Sequence, residues 1–194
     1  MRMSWAVAAC AEPDPVFAAI EACLEAERTY AEAWARLEEA RDRFKEKYGR
    51  EEPDAFSKAL REGFAKQGFE KFSKAACDSH QTVDRLIDAM YSARGTNMQE
   101  TRARLHEELD RQTAAYNETV KPLDDANNDA YERFDNLFQT LVDTQPTTLS
   151  GLSALFACPR DNKMLREQIW AANDDYIYKF IATLGTATAK FAKT

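Results

Sequence analysis

The sequence predicts an all-α fold: an elongated antiparallel helical bundle of about five or six helices, three of them long and the C-terminal ones short. Three observations carry that expectation. Apolar residues recur three and four positions apart over long stretches, which is the buried stripe of an amphipathic helix. Nowhere does the sequence sustain the alternation between turns that marks a half-buried strand. With 44% hydrophobic and 30% charged residues, six glycines and six prolines, the 194 residues have the balance of a folded, helix-rich chain. One domain over 14–194 fits that length, preceded by a flexible lead-in over 1–13.

The lead-in, MRMSWAVAACAEP, has the basic start, apolar run and Val7-Ala8-Ala9-Cys10 ending of a lipoprotein signal. Only nine residues precede Cys10, whereas a signal needs about 15 to 30. It is therefore read as an approach to a helix, and the protein as cytoplasmic; a gene start upstream of Met1 would make it exported instead. The four cysteines, Cys10, Cys23, Cys77 and Cys158, lack any C-x-x-C spacing, which predicts free thiols rather than a zinc site or a redox motif.

Asp14-Pro15 predicts the first helix start, because Asp can cap free amides and Pro at the first helical position loses no hydrogen bond. Phe17, Ile20, Leu24, Tyr30, Trp34, Leu37, Phe44 and Tyr48 follow at helical spacing and Gly49 stops them, so the helix runs over 15–48. A turn at 51–54 precedes a short apolar face of Phe56, Leu60 and Phe64. A second helix over 69–94 carries Phe72, Ala76, Val83, Ile87 and Met90. A third over 97–144 starts on a capping box and keeps its rhythm from Leu105 to Leu141. Lys121-Pro122 inside it predicts a kink, since Pro removes a donor and crowds the carbonyl of Glu118. A short apolar helix over 147–156, a loop at 158–161 and a last helix through Tyr176 to Leu184 complete the chain.

Charge narrows the partners. A formal charge of −7 and a pI near 5.0 set the chain against nucleic-acid backbones and anionic membranes. Between Glu12 and Glu39 stand eight acids against two bases, while Arg41 to Lys74 holds ten bases against seven acids. Neighbouring antiparallel helices complementing one another is the expected use of that contrast.

Three blocks, Asp14 to Ala22, Gln145 to Leu155 and Tyr178 to Leu184, resemble a set of uncharacterised small helical proteins of rhizobial alphaproteobacteria. They cover 27 of the 194 residues, in the same order. The resemblance implies a bacterial helical protein and supplies no site.

Candidate chemistry is sparse. A ferritin-like di-iron centre needs two Glu-x-x-His pairs, and the residues three before His80 and His106 are Cys77 and Ala103. Asp125 to Asp129 matches the start of a calcium loop, but its sixth and twelfth positions are Ala130 and Asn136 instead of Gly and Glu. Cys77, His80 and Asp84 share one helical face and are the only candidates for a mononuclear metal or a thiol–imidazole pair. A hydrogen-bonded core histidine is the expectation for His80, and neither a catalytic residue nor a cofactor is assigned. The aromatic series Trp34, Phe44, Tyr48, Phe56, Phe64, Phe69 and Phe72 is expected to be core, with the lining of a ligand pocket as the alternative.

The function that follows is a noncatalytic interaction or adaptor protein, coiled-coil-like and acidic, with a protein partner or self-association. An acidic inhibitor or a mobile-element adaptor is one form of it. A ligand-binding or enzymatic domain around Cys77, His80 and Asp84 is the alternative. Gln112 and Asn127, polar within the third helix's apolar rhythm, are candidates for setting register, or else face solvent.

Overall fold

The structure, a computed structural model, describes residues 13–55, 78–91, 98–171 and 173–192. Among these the chain is all-α, with no strand, and forms a helical bundle. Its helices are α1 Pro15–Tyr48, α2 His80–Tyr91, α3 Met98–Thr119, α4 Lys121–Asp143, α5 Leu149–Asp161, α6 Lys163–Ala171 and α7 Asn173–Phe191. Packing divides them into two units, one of Met1–Ala31 with Asp129–Thr194 and one of Glu32–Asn128.

In the first unit the apolar stripe of α1 closes on α4 to α7. Val16, Phe134, Phe138, Leu155 and Leu165 are buried to within 1% of completely, and each such side chain contributes roughly 1.5–3 kcal/mol of hydrophobic stabilisation. Tyr30 stacks on Phe134 at 6.2 Å and Phe138 meets Tyr176 edge-on at 5.2 Å. Asp14 caps α1 as expected: its Oδ1 accepts the Val16 amide at 3.1 Å. Its Oδ2 also accepts the amides of Thr147 and Thr148 at 2.9 and 2.7 Å, so the same carboxylate anchors the start of α5.

The expected loop at 158–161 is instead the last turn of α5, which carries Pro159 within it. Pro159 deprives the Leu155 carbonyl of a donor, but Leu155 is fully buried and holds the turn in place. Asn162 then serves both neighbours. Its amide closes α5 on the Cys158 carbonyl at 3.0 Å, and its Oδ1 accepts the Leu165 amide at 2.9 Å to open α6.

In the second unit Leu37, Phe44 and Val120 make one small core, and Val83, Ile87, Leu105 and Leu109 with Ala55 another. Helices α2 and α3 are antiparallel, since His80 meets Asp110 and Asp88 meets Arg102. Gly49 ends α1 at φ 79°, a left-handed conformation that favours glycine, with its amide on the Lys45 carbonyl at 2.7 Å. Gln112 and Asn127 are both buried, so neither faces solvent. Gln112 ties the segment after α1 to α3 by accepting the Asp54 amide at 2.9 Å.

The expected third helix over 97–144 is interrupted at a single turn residue, Val120, two positions before Pro122. Pro122 falls at the second position of α4, where a missing N–H costs nothing. Val120, fully buried against Leu37 and Phe44, accepts the Leu123 and Asp124 amides at 3.0 Å each. The calcium-like stretch 125–129 lies along α4 as helix. The start expected for the second helix, 69–77, lies outside the described residues, as does the short face of Phe56, Leu60 and Phe64.

Charge complementation is mostly local. Glu25 with Arg28, Glu32 with Arg36 and Glu39 with Arg43 pair along α1 itself. Arg41 to Asp124 at 3.0 Å joins α1 to α4.

Candidate functional site

Of the three side chains singled out in the sequence, Cys77 lies outside the described residues, while His80 and Asp84 stand one turn apart on α2. His80 is not a core histidine; its side chain is 48% exposed. Val83 and Ile87 take the buried positions of α2, and the imidazole falls at the edge of that stripe.

The partner that sequence reasoning missed is α3. His80 and His106 stack face to face, centroids 4.1 Å apart and planes 9° from parallel. Each imidazole reaches a carboxylate of the opposite helix: His80 Nε2 lies 2.8 Å from Asp110 Oδ1, and His106 Nε2 lies 3.0 Å from Asp84 Oδ1. Arg102 closes the row, its Nε 3.0 Å from Asp84 Oδ1 and a terminal nitrogen 2.6 Å from Asp88. The signal was present as a repeat, His-x-x-x-Asp at 80–84 and again at 106–110. Two such repeats on antiparallel helices put each His against the other's Asp.

This row is a cross-helix ladder. The in-plane lone pairs of two nearly parallel stacked rings lie in separate, nearly parallel planes and do not converge on one ion. Among the described residues no group of three or more His, Cys, Asp or Glu side chains is arranged to hold a metal. Ser79, the nearest hydroxyl in sequence, caps α2 by accepting the Thr82 amide at 3.2 Å, and its Oγ lies 2.8 Å from the Thr82 hydroxyl. The Asp84 Oδ1, Arg102 Nε and His106 Nε2 atoms are buried and within ion-pair reach, yet off the axes a hydrogen bond requires. The attraction between Arg102 and Asp84 is Coulombic, and modest for side chains this exposed.

A different feature has the shape of a binding site. In the second unit α1, the end of α3 and the start of α4 leave an open groove of about 520 Å³. Its floor is Ala40, Phe44, Ala115 and Leu123, and Tyr48 closes one end. Phe44 packs on Tyr48 at 4.6 Å and edge-on to Tyr116 at 5.3 Å. Arg36, Arg43 and Lys47 stand on its rim with one acid, Glu39. Lys47 lies 5.0 Å from the Tyr48 ring centroid and Arg111 6.0 Å, which makes that end a cationic, aromatic corner.

The first unit carries a smaller groove of about 300 Å³, almost wholly apolar, between Ile169, Ile177, Phe180 and Ile181, with Arg160 and Arg166 beside it. Among the described residues no helix is long and apolar enough to cross a membrane.

No protein-family model, curated protein or solved structure matches the chain.

Proposed function

We propose that the protein is a noncatalytic interaction module that seats an acidic, amphipathic helix of a protein partner in the groove floored by Phe44 and Leu123. One observation carries the reading: an apolar floor rimmed by Arg36 and Arg43, each paired along α1 with Glu32 or Glu39, and by Lys47, in a chain whose formal charge is −7. An apolar ridge at i, i+3, i+4 and i+7 fills such a floor, and flanking carboxylates meet Arg36, Arg43 and Lys47. Lys47 has no carboxylate partner among the described residues, so it is available without breaking an existing pair. Long-range repulsion from the rest of the surface favours partners whose acidic groups are confined to the rim contacts.

The same reading puts the protein in the cytoplasm and makes it an adaptor or inhibitor rather than an enzyme. The ladder of His80, His106, Asp84 and Asp110 fits this, as a joint between α2 and α3.

A labelled designed helix with a leucine ridge and flanking glutamates tests the proposal by fluorescence anisotropy. Micromolar binding is expected, about −8 kcal/mol, weakened at least tenfold by R43E with K47E and absent for the same peptide with lysines in place of glutamates. Equal binding of the acidic and basic peptides would refute it.

A further inference from the structure

We infer that Cys23 and Cys158 form an oxidisable thiol pair, closing to a disulfide between α1 and α5 by exchange with a small disulfide oxidant. Both residues belong to the first unit, so the inference is independent of the groove in the second.

Register places them together. At one end, Asp14 bonds Thr148, and a Cβ built on Gly151 would stand 2.1 Å from Asp14 Oδ2. At the other end, the Asn162 side-chain amide donates to Glu27. Residue numbers rise together along both helices, so α1 and α5 run side by side in the same direction. Cys23 lies four residues before Glu27 and Cys158 four before Asn162, each about one helical turn from the same hydrogen bond. The two thiols therefore stand at one level.

The surroundings agree. Cys23 is fully buried in the core cluster and Cys158 packs against that cluster. Ala19 and Ala26 flank Cys23 on α1 and add no bulk beside it; closure needs the two Cα atoms to come within about 4.4–6.8 Å. Cys158 also borders an open groove with Phe17, Ile20 and Leu24, which gives an oxidant access to its sulfur.

The chemistry balances without a metal or other cofactor. The Cys158 thiolate attacks one sulfur of the oxidant disulfide, forming a mixed disulfide and expelling a thiolate that takes up the Cys158 proton. The Cys23 thiolate then attacks Cys158 Sγ, and the second oxidant sulfur leaves and takes the Cys23 proton. Two protein thiols are oxidised to a disulfide and one oxidant disulfide is reduced to two thiols. Burial first, then the charges nearby, push Cys23 up to about 12 and Cys158 up to about 11; Cys158 opposes ionisation of Cys23, and Glu27 opposes both. Closure is accordingly slow at neutral pH and faster in alkali.

The test uses the full chain, incubated folded with oxidised glutathione, alkylated, digested without reduction and mapped by mass spectrometry. A linked Cys23–Cys158 peptide is expected, with a rate that rises about tenfold per pH unit between about pH 7 and 9. Tm is expected to rise by about 5 °C or more after closure, because the bond spans a long loop. In C23S a stable glutathione adduct should stay on Cys158, and in C158A Cys23 should remain alkylatable only after unfolding. A persistent glutathione adduct on Cys158 in the unaltered chain, with Cys23 still a free thiol, overturns the inference. So does oxidation of Cys23 in folded C158A.

Discussion

Asp14 and Thr148, 134 residues apart, share one carboxylate oxygen: Asp14 Oδ2 accepts both the amide and the hydroxyl of Thr148 at 2.7 Å. The Thr148 hydroxyl in turn accepts the Gly151 amide at 3.0 Å, so a single side chain caps α1 and organises the cap of α5. Asp14→Ala removes an acceptor from several donors at once, leaving the buried Val16 amide and the part-buried amides of Thr147 and Thr148 without it. A loss of about 2–4 kcal/mol is expected in urea denaturation followed by helical circular dichroism. A loss under half a kcal/mol would mean the junction relaxes around water.

The same carboxyl sets a pH dependence. Burial opposes its ionisation, but hydrogen bonds from Thr148, Val16 and Thr147 outweigh that and hold Asp14 below its ordinary value of 3.8. A folded value below the unfolded one means the contribution is fully present above the unfolded value and disappears as pH falls through the folded one. The stability gap between the unaltered chain and Asp14→Asn should thus be constant above about pH 5 and shrink in stronger acid. Urea midpoints measured over that range check it; a gap that widens in acid would reverse the assigned sign.

Gly151→Ala is a sharper probe of the same junction. Helix propensity alone favours alanine by about 1 kcal/mol. The added Cβ, however, would stand 2.1 Å from Asp14 Oδ2 and 2.4 Å from its Cγ, so the carboxylate must leave. A net loss of about 1–3 kcal/mol is expected, most of it vanishing on an Asp14→Ala background. Additive losses in that double-mutant cycle would show that the clash lies elsewhere.

These features were readable to different depths, for physical reasons. The Asp14-Pro15 cap and the Gly49 stop were legible because capping is decided within one turn of chain, and α1 has the expected bounds. Pro159 reads locally as a loop residue because the compensation for its missing donor, the burial of Leu155, comes from residues distant in sequence. Val120 divides α3 from α4 for a similar reason, being fixed by Leu37 and Phe44. The second imidazole of the α2–α3 ladder is 26 positions from the first, beyond any local spacing rule, although the repeated His-x-x-x-Asp pattern carried the information. Trp34, grouped with the core aromatics by its spacing, is 45% exposed; helical spacing shows which residues share a face, not whether a neighbour covers it.

The ladder leads to a prediction about metals. Its stacked rings hold their nitrogens toward separate carboxylates, 2.8 Å for His80 and 3.0 Å for His106. Cobalt(II) added to the folded protein should produce no tetrahedral absorption band assignable to these residues, and EDTA should leave the melting temperature unchanged. A band lost in H80Q and in H106Q would show that the rings turn to share an ion. Arg102→Ala, by contrast, should cost no more than about 1 kcal/mol, since its carboxylate partners are substantially exposed.

Gln112 and Asn127 give a prediction in which two buried amides behave oppositely. Gln112 is 2% exposed and engaged at both ends, accepting the Asp54 amide at 2.9 Å and donating to Glu108 at 2.8 Å. Replacing it with leucine leaves the Asp54 amide without that acceptor and takes a donor from Glu108, whose carboxyl is held low, against its burial, by Arg111 and Gln112. Gln112→Leu should therefore cost about 1–3 kcal/mol. Asn127 is 6% exposed, but its Oδ1 is buried with no hydrogen-bond partner among the described residues. Asn127→Leu removes that unsatisfied acceptor and adds apolar surface of similar volume, so it should be neutral or stabilising by up to about 1 kcal/mol. Paired urea denaturations of the two variants decide it: a large loss for Asn127→Leu would mean that the amide is held by an ordered water or a partner, and that its polarity is selected for a contact on that side of α4.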